Sequence, residues 1–191
     1  MSHSHYKIYK PYGYLSQFIN NQTKRKNKKL LGGLGDFAAG TMAIGRLDEK
    51  SEGLLLLTTD GKISDQILSR KYEKEYYVLV DGVIEEHHLE ELRNGVIIGI
   101  HGKKYKTLKC IVDFLEEDPN FEERSKKIRD ARHGPTTWIR IILREGKFRQ
   151  IRKMTSAVGF PTLRLVRIRV GKNKLDTMKI GEVKPINAFV L

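Results

Sequence analysis

The sequence has a single cysteine, five prolines and one tryptophan in 191 residues, and it has no long apolar run. The lone cysteine, Cys110, can form neither an internal disulfide nor a cysteine-rich zinc site. The apolar run at residues 54–57 is far shorter than the ~20 residues that a membrane-spanning helix requires. No apolar segment typical of a secretion signal follows Met1. We therefore expect a soluble, cytoplasmic protein that contacts no membrane.

The chain is strongly basic, with 36 lysines and arginines against 23 acidic residues and a formal net charge of +13. Residues 140–174 contain eleven basic residues and one acid, residues 81–123 contain eleven acids and five basic residues, and residues 24–29 contain five basic residues. Such segregation favours a face that binds a polyanion, most simply a nucleic acid. The alternative is a set of basic side chains whose stems cover the core while their charged ends stay solvated.

Predicted strands and helices alternate without an internal repeat. Apolar and β-branched patterns predict strands at residues 6–10, 42–44, 54–58, 76–80, 105–115, 138–143 and 163–170. Helical spacing predicts helices at residues 63–68, 85–93 and 149–158. We expect a long mobile loop at residues 16–40 and a charged excursion from the core at residues 116–135. The order of elements predicts an α+β fold, with no linker between independent units.

Some patterns carry little weight. The G-x-G-x-x-A pattern at residues 33–38 follows a lysine-rich block rather than a strand, so it indicates a flexible loop and not a dinucleotide site. The adjacent His87 and His88 are expected to point to different faces of a helix, and we expect no metal site. Cys110 and Trp138 are expected to be ordinary core residues.

Two segments near the N-terminus could carry chemistry. The segment at residues 10–16, K-P-Y-G-Y-L-S, looks like a strand that ends in a turn. The segment at residues 45–61 places Asp48 in a charged loop before an apolar strand. This carboxylate is either a turn residue paired with Arg46 or Lys50, or an ionised group at a loop mouth that acts as a nucleophile.

Two later segments carry further candidates. The segment at residues 73–78 contains Tyr76, which is either an ordinary strand aromatic or a flat surface for stacking. The segment at residues 145–154 places Arg149 and Arg152 three residues apart on a predicted helix. Such a pair could hold phosphate or pair with a carboxylate from another element.

The four segments together resemble the pseudouridine synthases, in the branch that includes the ribosomal small-subunit enzyme A and the large-subunit enzymes B, E and F. The motif G-R-L-D-x-x-(S/T)-x-G-L-L-L-L-T-x-D-G matches residues 45–61, and E-K-x-Y-x-V matches residues 73–78. The motif E-G-(K/R)-x-R-Q-(I/V)-R-(R/K)-M matches residues 145–154, although Phe148 stands where relatives often have asparagine. The sequence P-T-T-W at residues 135–138 is most similar to the stand-alone large-subunit enzymes of this branch.

The resemblance implies that the protein isomerises a specific uridine in ribosomal RNA, expected to be that of the large subunit, to pseudouridine without a cofactor or metal. It also implies a mixed, mainly antiparallel sheet with two lobes around a catalytic cleft. Residues 1–191 are expected to form a single, monomeric catalytic domain without the N-terminal S4-type RNA-binding module that many relatives carry. Two alternatives stay open: the same activity on small-subunit RNA, and a non-catalytic protein that binds ribosomal RNA or assists its assembly.

The motif match also implies roles for individual residues. Asp48 is expected to be the catalytic carboxylate, Tyr76 to lie against the target base, and either Arg149 or Arg152 to pair with Asp48. Arg46 is expected to fill the gap or contact the backbone when the uridine leaves the stack. Further contacts to RNA are expected from other basic side chains: Lys24, Arg25, Lys26, Lys74, Lys147, Lys153, Arg164 and Arg167.

Overall fold

The computed structural model describes residues 3–20, 27–129 and 131–191. In this part of the chain, the strands are β1 (His5–Lys10), β2 (Met42–Ala43), β3 (Glu52–Thr58), β4 (Lys74–Asp81), β5 (Ile97–Ile100), β6 (Lys103–Lys106), β7 (Ile111–Phe114), β8 (Thr136–Leu143), β9 (Thr162–Val170), β10 (Asn173–Lys174) and β11 (Val183–Ile186). The helices are α1 (Gly61–Leu68), α2 (Glu86–Asn94) and α3 (Gln150–Ala157), with short 3-10 turns at Leu31–Gly33 and Ala131–His133.

The chain divides into two compact units. The first comprises Met1–Tyr72, Glu122–Lys126 and Val166–Leu191, and the second comprises Glu73–Phe121 and Lys127–Leu165. Antiparallel pairing joins β1 to β11, β1 to β3, β2 to β3, β9 to β10, β4 to β8, β5 to β6 and β7 to β8, whereas β3 and β9 pair in parallel. The prediction of an α+β fold with a mixed, mainly antiparallel sheet is confirmed.

The first unit is built around β3, all seven residues of which are buried. β1 pairs antiparallel with β3 on one side and with β11 on the other. β9 pairs parallel with β3 at Gly53, where the backbones approach so closely that a Cβ would lie 2.3 Å from the carbonyl oxygen of Arg167. The four consecutive leucines of β3 are at most 1% exposed because both faces of the strand are covered. α1 begins after Asp60, whose carboxylate accepts hydrogen bonds from two backbone N–H groups.

The second unit is built around β4 and β8, which pair antiparallel over eight residues. β7 continues this sheet on the other side of β8, and β5 and β6 form a separate hairpin. α2 covers the core with Leu89 and Leu92, both 0% exposed. α3 contributes Met154, which is also fully buried.

The structure corrects the predicted strand at residues 105–115, which is interrupted between β6 and β7. The backbone N–H groups of this interruption donate elsewhere: Thr107 to Val96, Leu108 to the Glu145 carboxylate, and Cys110 to Arg93. A continuous ladder is therefore impossible here. Cys110 lies outside a strand and is half-buried, its thiol 3.3 Å from the Leu92 carbonyl oxygen, and burial raises its pKa to about 11.

The prediction of a long mobile loop at residues 16–40 is wrong for part of its described portion. Leu31 is 0% exposed and begins a 3-10 turn. Phe18 and Phe37 meet edge to face with centroids 5.1 Å apart, and Tyr6 packs on Phe37 in the same way. These apolar contacts anchor the segment against β1.

Besides the two-residue β10, two strands were not predicted, β5 and β11. β5 follows α2 after only two residues, and two of its four residues, Ile97 and Gly99, are exposed. β11 contains Pro185, which cannot donate a hydrogen bond to a sheet, and it pairs with β1 alone among the described strands. Neither strand has a sequence pattern that indicates its pairing.

Candidate active site

Asp48 lies in the loop that joins β2 to β3 in the first unit, and its side chain is half-buried. The N–H of Ser51 donates to the carbonyl oxygen of Asp48 at 2.9 Å, closing a four-residue turn directly before β3. The neighbouring Leu47 is 6% exposed and anchors the loop in the core, whereas Arg46 is exposed. The loop therefore presents a carboxylate and a guanidinium from a fixed backbone.

Ser16 holds this loop through its hydroxyl group. Its Oγ donates to the carbonyl oxygen of Leu47 at 2.8 Å and accepts from the N–H of Leu47 at 2.9 Å. Both bonds are buried. Because Leu47 directly precedes Asp48, this pair of bonds fixes the backbone that carries the candidate catalytic residue.

Glu49 provides two further ties that hold this loop, one to Gly13 of the first motif segment and one to Lys28. Its carbonyl oxygen accepts from the N–H of Gly13 at 2.7 Å, and its carboxylate lies 2.6 Å from the ammonium of Lys28. Two of the four motif segments, residues 10–16 and 45–61, are thus joined by backbone and side-chain bonds in one unit.

Lys10 is the most unusual group near this loop, because its side chain is 0% exposed. Its ammonium donates to the carbonyl oxygens of Pro11 at 2.9 Å and Tyr14 at 2.7 Å. Burial lowers the pKa of Lys10 to about 7, opposed by the negative charges of Glu52, Asp48 and Glu49. Lys10 and Ser16 were not among the residues predicted to act, and their signal in the sequence is their position within the first motif segment.

Two arginines of the first unit surround the start of β3. The Nη1 of Arg124 lies 3.8 Å from a carboxylate oxygen of the fully buried Glu52. The Cζ of Arg124 lies 4.7 Å from the ring centroid of Tyr12. Arg167 is 3% exposed, and its Nε–H donates to the carbonyl oxygen of Leu54 at 2.7 Å. A guanidinium held in this way has little surface left for a phosphate, so Arg167 supports the β3–β9 junction.

Tyr76 lies on β4 in the second unit and is 8% exposed. It stands opposite Ile141 of β8, and Lys74, two residues earlier, is 9% exposed. Residues two apart on a strand point to the same face of the sheet, so the side chains of Lys74 and Tyr76 lie on one face of β4. Arg164, in the same unit, is 5% exposed and lies 5.3 Å from the ring centroid of Phe121.

Arg149 and Arg152 do not occupy equivalent helical positions, which corrects the prediction of a helix from residue 149. Arg149 precedes α3 as its N-cap in a left-handed conformation with φ of 53°. Arg152 lies within α3, and its Nη1 donates to the carbonyl oxygen of Thr162 at 3.3 Å. The turn before the helix thus forces Arg149 off the helical path.

Glu145 organises the fourth motif segment and was missed by the sequence analysis. It is 4% exposed and accepts hydrogen bonds from the Tyr105 hydroxyl at 2.6 Å, the Leu108 N–H at 2.8 Å and the Gln150 amide at 2.6 Å. Its signal in the sequence was its position as the single acid among the basic residues of the stretch 140–174. Lys147, half-buried, lies 4.9 Å from the Tyr105 ring centroid.

The remaining basic candidates differ in what the structure describes. Lys24, Arg25 and Lys26 lie outside the described residues. Lys29, beside them, lies 5.6 Å from the ring centroid of Tyr14. Lys153 is half-buried and donates to the carbonyl oxygen of Gly99 at 2.6 Å.

His87 and His88 do not point to different faces of α2, contrary to the prediction. Their ring centroids lie 3.7 Å apart, and Glu85 lies 3.3 Å from the Nδ1 of His87. Glu85 and His88 also form a capping box at the start of the helix, which turns the His88 side chain back toward Glu85. The positive end of the helix dipole at this position opposes a bound cation.

None of the helices in the described ranges is both long and apolar enough to cross a membrane.

Comparison with solved structures identifies the fold. A protein described as a pseudouridylate synthase superposes on 97% of this chain and 70% of its own with a TM-score of 0.75 and 24% identity, which shows a shared fold. Two curated relatives, each described as ribosomal large subunit pseudouridine synthase E, are similar in sequence. The one from Vibrio vulnificus (strain CMCP6) is 40% identical over 93% of this chain and 73% of its own length. The one from Xanthomonas axonopodis pv. citri (strain 306) is 37% identical over 88% of this chain and 86% of its own length.

The family follows from a match to its sequence model. The model described as RNA pseudouridylate synthase matches residues 4–157, a span that contains Asp48, Tyr76, Arg149 and Arg152. The chain belongs to this family, and it is an enzyme that isomerises uridine in RNA. Asp48 lies in the first compact unit, whereas Tyr76, Arg149 and Arg152 lie in the second.

Proposed function

We propose that this enzyme converts a uridine of large-subunit ribosomal RNA into pseudouridine in the cytoplasm. The similarity to two large-subunit enzymes over about nine tenths of the chain supports the choice of substrate. The net charge of +13 supports binding to a polyanion such as ribosomal RNA.

In this reaction the bond between the ribose and N1 of the base breaks, and a bond between the ribose and C5 forms. N1 gains a proton and C5 loses one, so the reaction is redox-neutral and releases no group. A residue that removes the C5 proton and a carboxylate that acts on the ribose or on the base are sufficient to describe the chemistry.

Asp48 is the proposed catalytic carboxylate. The observation that carries this assignment is its position in the 45–61 motif, on a half-exposed turn whose backbone is fixed by Ser16 and by the closing bond from Ser51. A carboxylate that must attack or remove a proton needs this combination of access and fixed position.

The other assignments complete the proposal. Tyr76 lies against the target base and takes part in removing the C5 proton, and an arginine from the fourth motif, Arg149 or Arg152, is the proposed partner of the Asp48 carboxylate. Arg46 is exposed beside Asp48 and fills the space that the flipped uridine leaves.

The cations with accessible side chains contact RNA phosphates in this proposal. Lys147 and Lys153 are half-buried, so part of each side chain reaches solvent. Lys74, Arg164 and Arg167 are less than a tenth exposed, and we assign them to support the fold instead.

The experiment that tests the assignment of Asp48 compares Asp48→Asn with the parent. The variant should melt at the parent temperature and bind ribosomal RNA, since the amide keeps the size and hydrogen bonding of the carboxylate. It should form no pseudouridine because it lacks the charge that attack or proton removal requires. Asp36→Asn, at an exposed position of the same unit, is the matched control and should retain full activity. Conversion by Asp48→Asn, with deamidation excluded by mass spectrometry, would falsify the assignment.

A second measurement tests the substrate. Pseudouridines are mapped in both ribosomal subunits of cells with and without the gene. Loss of one modification in large-subunit RNA is the expected result. Loss from small-subunit RNA alone would replace the proposed substrate with the other subunit.

A further inference from the structure

Phe148 is an exposed aromatic side chain in the middle of a basic motif. It is 60% exposed, the most exposed aromatic among the large apolar side chains at the surface of the described residues. It occupies the turn between β8 and α3, where Arg149 adopts the left-handed conformation. A single exposed apolar side chain is common on protein surfaces, so the neighbours of Phe148 decide whether it forms part of a binding surface.

Two side chains of the same unit lie next to the Phe148 ring. The imidazole of His101 lies nearly parallel to it, at an interplanar angle of 23° with centroids 6.3 Å apart. The ammonium of Lys153 lies 5.1 Å from the Phe148 centroid, and a hydrogen bond to the Gly99 carbonyl oxygen fixes it. Two aromatic rings and a cation thus form one surface within the second unit, which we call the Phe148 surface.

The backbone supports the same surface with two uncommon conformations. His101, at the tip of the β5–β6 hairpin, has a φ of 47°, and Arg149 has a φ of 53°. Left-handed conformations of residues other than glycine cost free energy and persist only where the surrounding structure fixes them, as in the two tight turns here. Arg149 directly follows Phe148 in the sequence, and the His101 ring lies beside the Phe148 ring in space.

The charge around the Phe148 surface indicates the kind of ligand. Lys103 and Lys104 follow His101 on the hairpin and are exposed, and Lys147 precedes Phe148. An aromatic ring flanked by lysines suits a nucleotide, because the ring stacks on the base while the ammonium groups meet the phosphates. An apolar protein or lipid partner would leave these cations unpaired.

We propose that the Phe148 surface stacks an unpaired base of the RNA substrate, a nucleotide distinct from the uridine that is isomerised. This inference rests on the proposed function and adds a preference for RNA substrates that contain single-stranded or looped segments. Base stacking on an aromatic side chain tolerates any base, so the surface contributes affinity rather than sequence specificity.

The test measures binding of a labelled single-stranded oligoadenylate and of a fully paired RNA duplex of equal length. Phe148→Ala should raise the Kd for oligoadenylate about tenfold, equivalent to ~1.4 kcal/mol. Duplex binding should change less than about twofold, because paired bases are not available for stacking. Phe148→Leu should behave as Phe148→Ala does, whereas Phe148→Trp should keep the parent affinity and its added indole fluorescence should be quenched by oligoadenylate.

The matched control is Phe114→Ala on β7, a 41% exposed phenylalanine of the same unit, which should leave both affinities unchanged. Thermal melting of every variant verifies the fold. In conversion of ribosomal RNA, Phe148→Ala should raise KM and leave kcat unchanged, as expected for a residue that binds but does not react.

The outcomes separate the two proposals. Equal oligoadenylate affinity for Phe148→Ala and the parent would overturn the stacking role and would favour binding of a protein at this surface instead. Parent-like binding by Phe148→Leu would overturn it in favour of simple apolar contact. A parent that converts no uridine but loses oligoadenylate binding on Phe148→Ala would refute the proposed function while supporting the stacking surface.

Discussion

A single hydroxyl group, that of Ser16, connects two stretches of chain that are 31 residues apart. It satisfies both backbone groups of Leu47 in a buried position, where neither group can turn to water. The position of Asp48 therefore depends on a residue with no chemical role of its own.

We expect Ser16→Ala to leave the N–H and the carbonyl oxygen of Leu47 unsatisfied and to cost about 1–3 kcal/mol of unfolding free energy. Its kcat should fall further than its KM rises, because the loop that carries Asp48 loses its fixed position. Urea unfolding and steady-state conversion measure the two effects. Ser64→Ala, at a buried serine of α1, is the control and should change neither. Parent-like turnover by Ser16→Ala would show that the loop is held without this hydroxyl.

Lys10 gives the folded protein a pH dependence that one substitution can isolate. Its pKa is lowered from 10.5 to about 7 by burial and returns to its usual value on unfolding. Between these two values the unfolded chain binds more protons than the folded protein. The free energy of unfolding therefore rises with pH between about 7 and 10.5. Below the folded pKa and above the unfolded pKa, the contribution of Lys10 does not change with pH.

The parent should gain stability relative to Lys10→Met as the pH rises from 7 toward 10, by up to ~1.4 kcal/mol per pH unit. Lys10→Met cannot titrate, whereas all other groups are shared, so the difference isolates Lys10. Urea unfolding of both proteins at several pH values between about 6 and 10 provides the measurement. A difference that does not change with pH would contradict the lowered pKa of Lys10.

At the scale of elements, the predictable features are those that local pattern determines. The apolar run of β3 and the alternation of β9 predicted these strands to within two residues at each end. α1 begins within two residues of the prediction, and the Asp60 cap explains its start. α2 and α3 follow from helical spacing in the same way.

The features that could not be predicted depend on partners distant in sequence. The break between β6 and β7 arises because Glu145, 37 residues beyond Leu108, accepts its N–H. β11 exists because β1 offers an unpaired edge. Likewise, the motif match predicted Asp48, but the roles of Lys10 and Ser16 appear only when the chain brings the motif segments together.

At the scale of the whole molecule, the excess of positive charge governs encounter with RNA. Within the basic block at residues 24–29, Lys28 belongs to the first unit and is paired with Glu49. Lys24, Arg25 and Lys26 lie outside the described residues, so their contribution rests on charge alone. Each phosphate contact releases condensed counterions, which makes RNA affinity depend on salt in proportion to the number of contacts.

Replacement of Lys24, Arg25 and Lys26 together by glutamine should therefore weaken binding to ribosomal RNA and reduce the slope of log affinity against log salt by up to about 2. The melting temperature should not change.

The control replaces Lys62, Arg70 and Lys71, three exposed cations of the same unit, and removes the same charge from another part of the sequence. If the two triple variants lose equal affinity and slope, the block acts only through net charge. If the block variant keeps the parent slope, residues 24–26 do not contact phosphate. If only the block variant shows a reduced slope, residues 24–26 contact the phosphates of the RNA backbone directly.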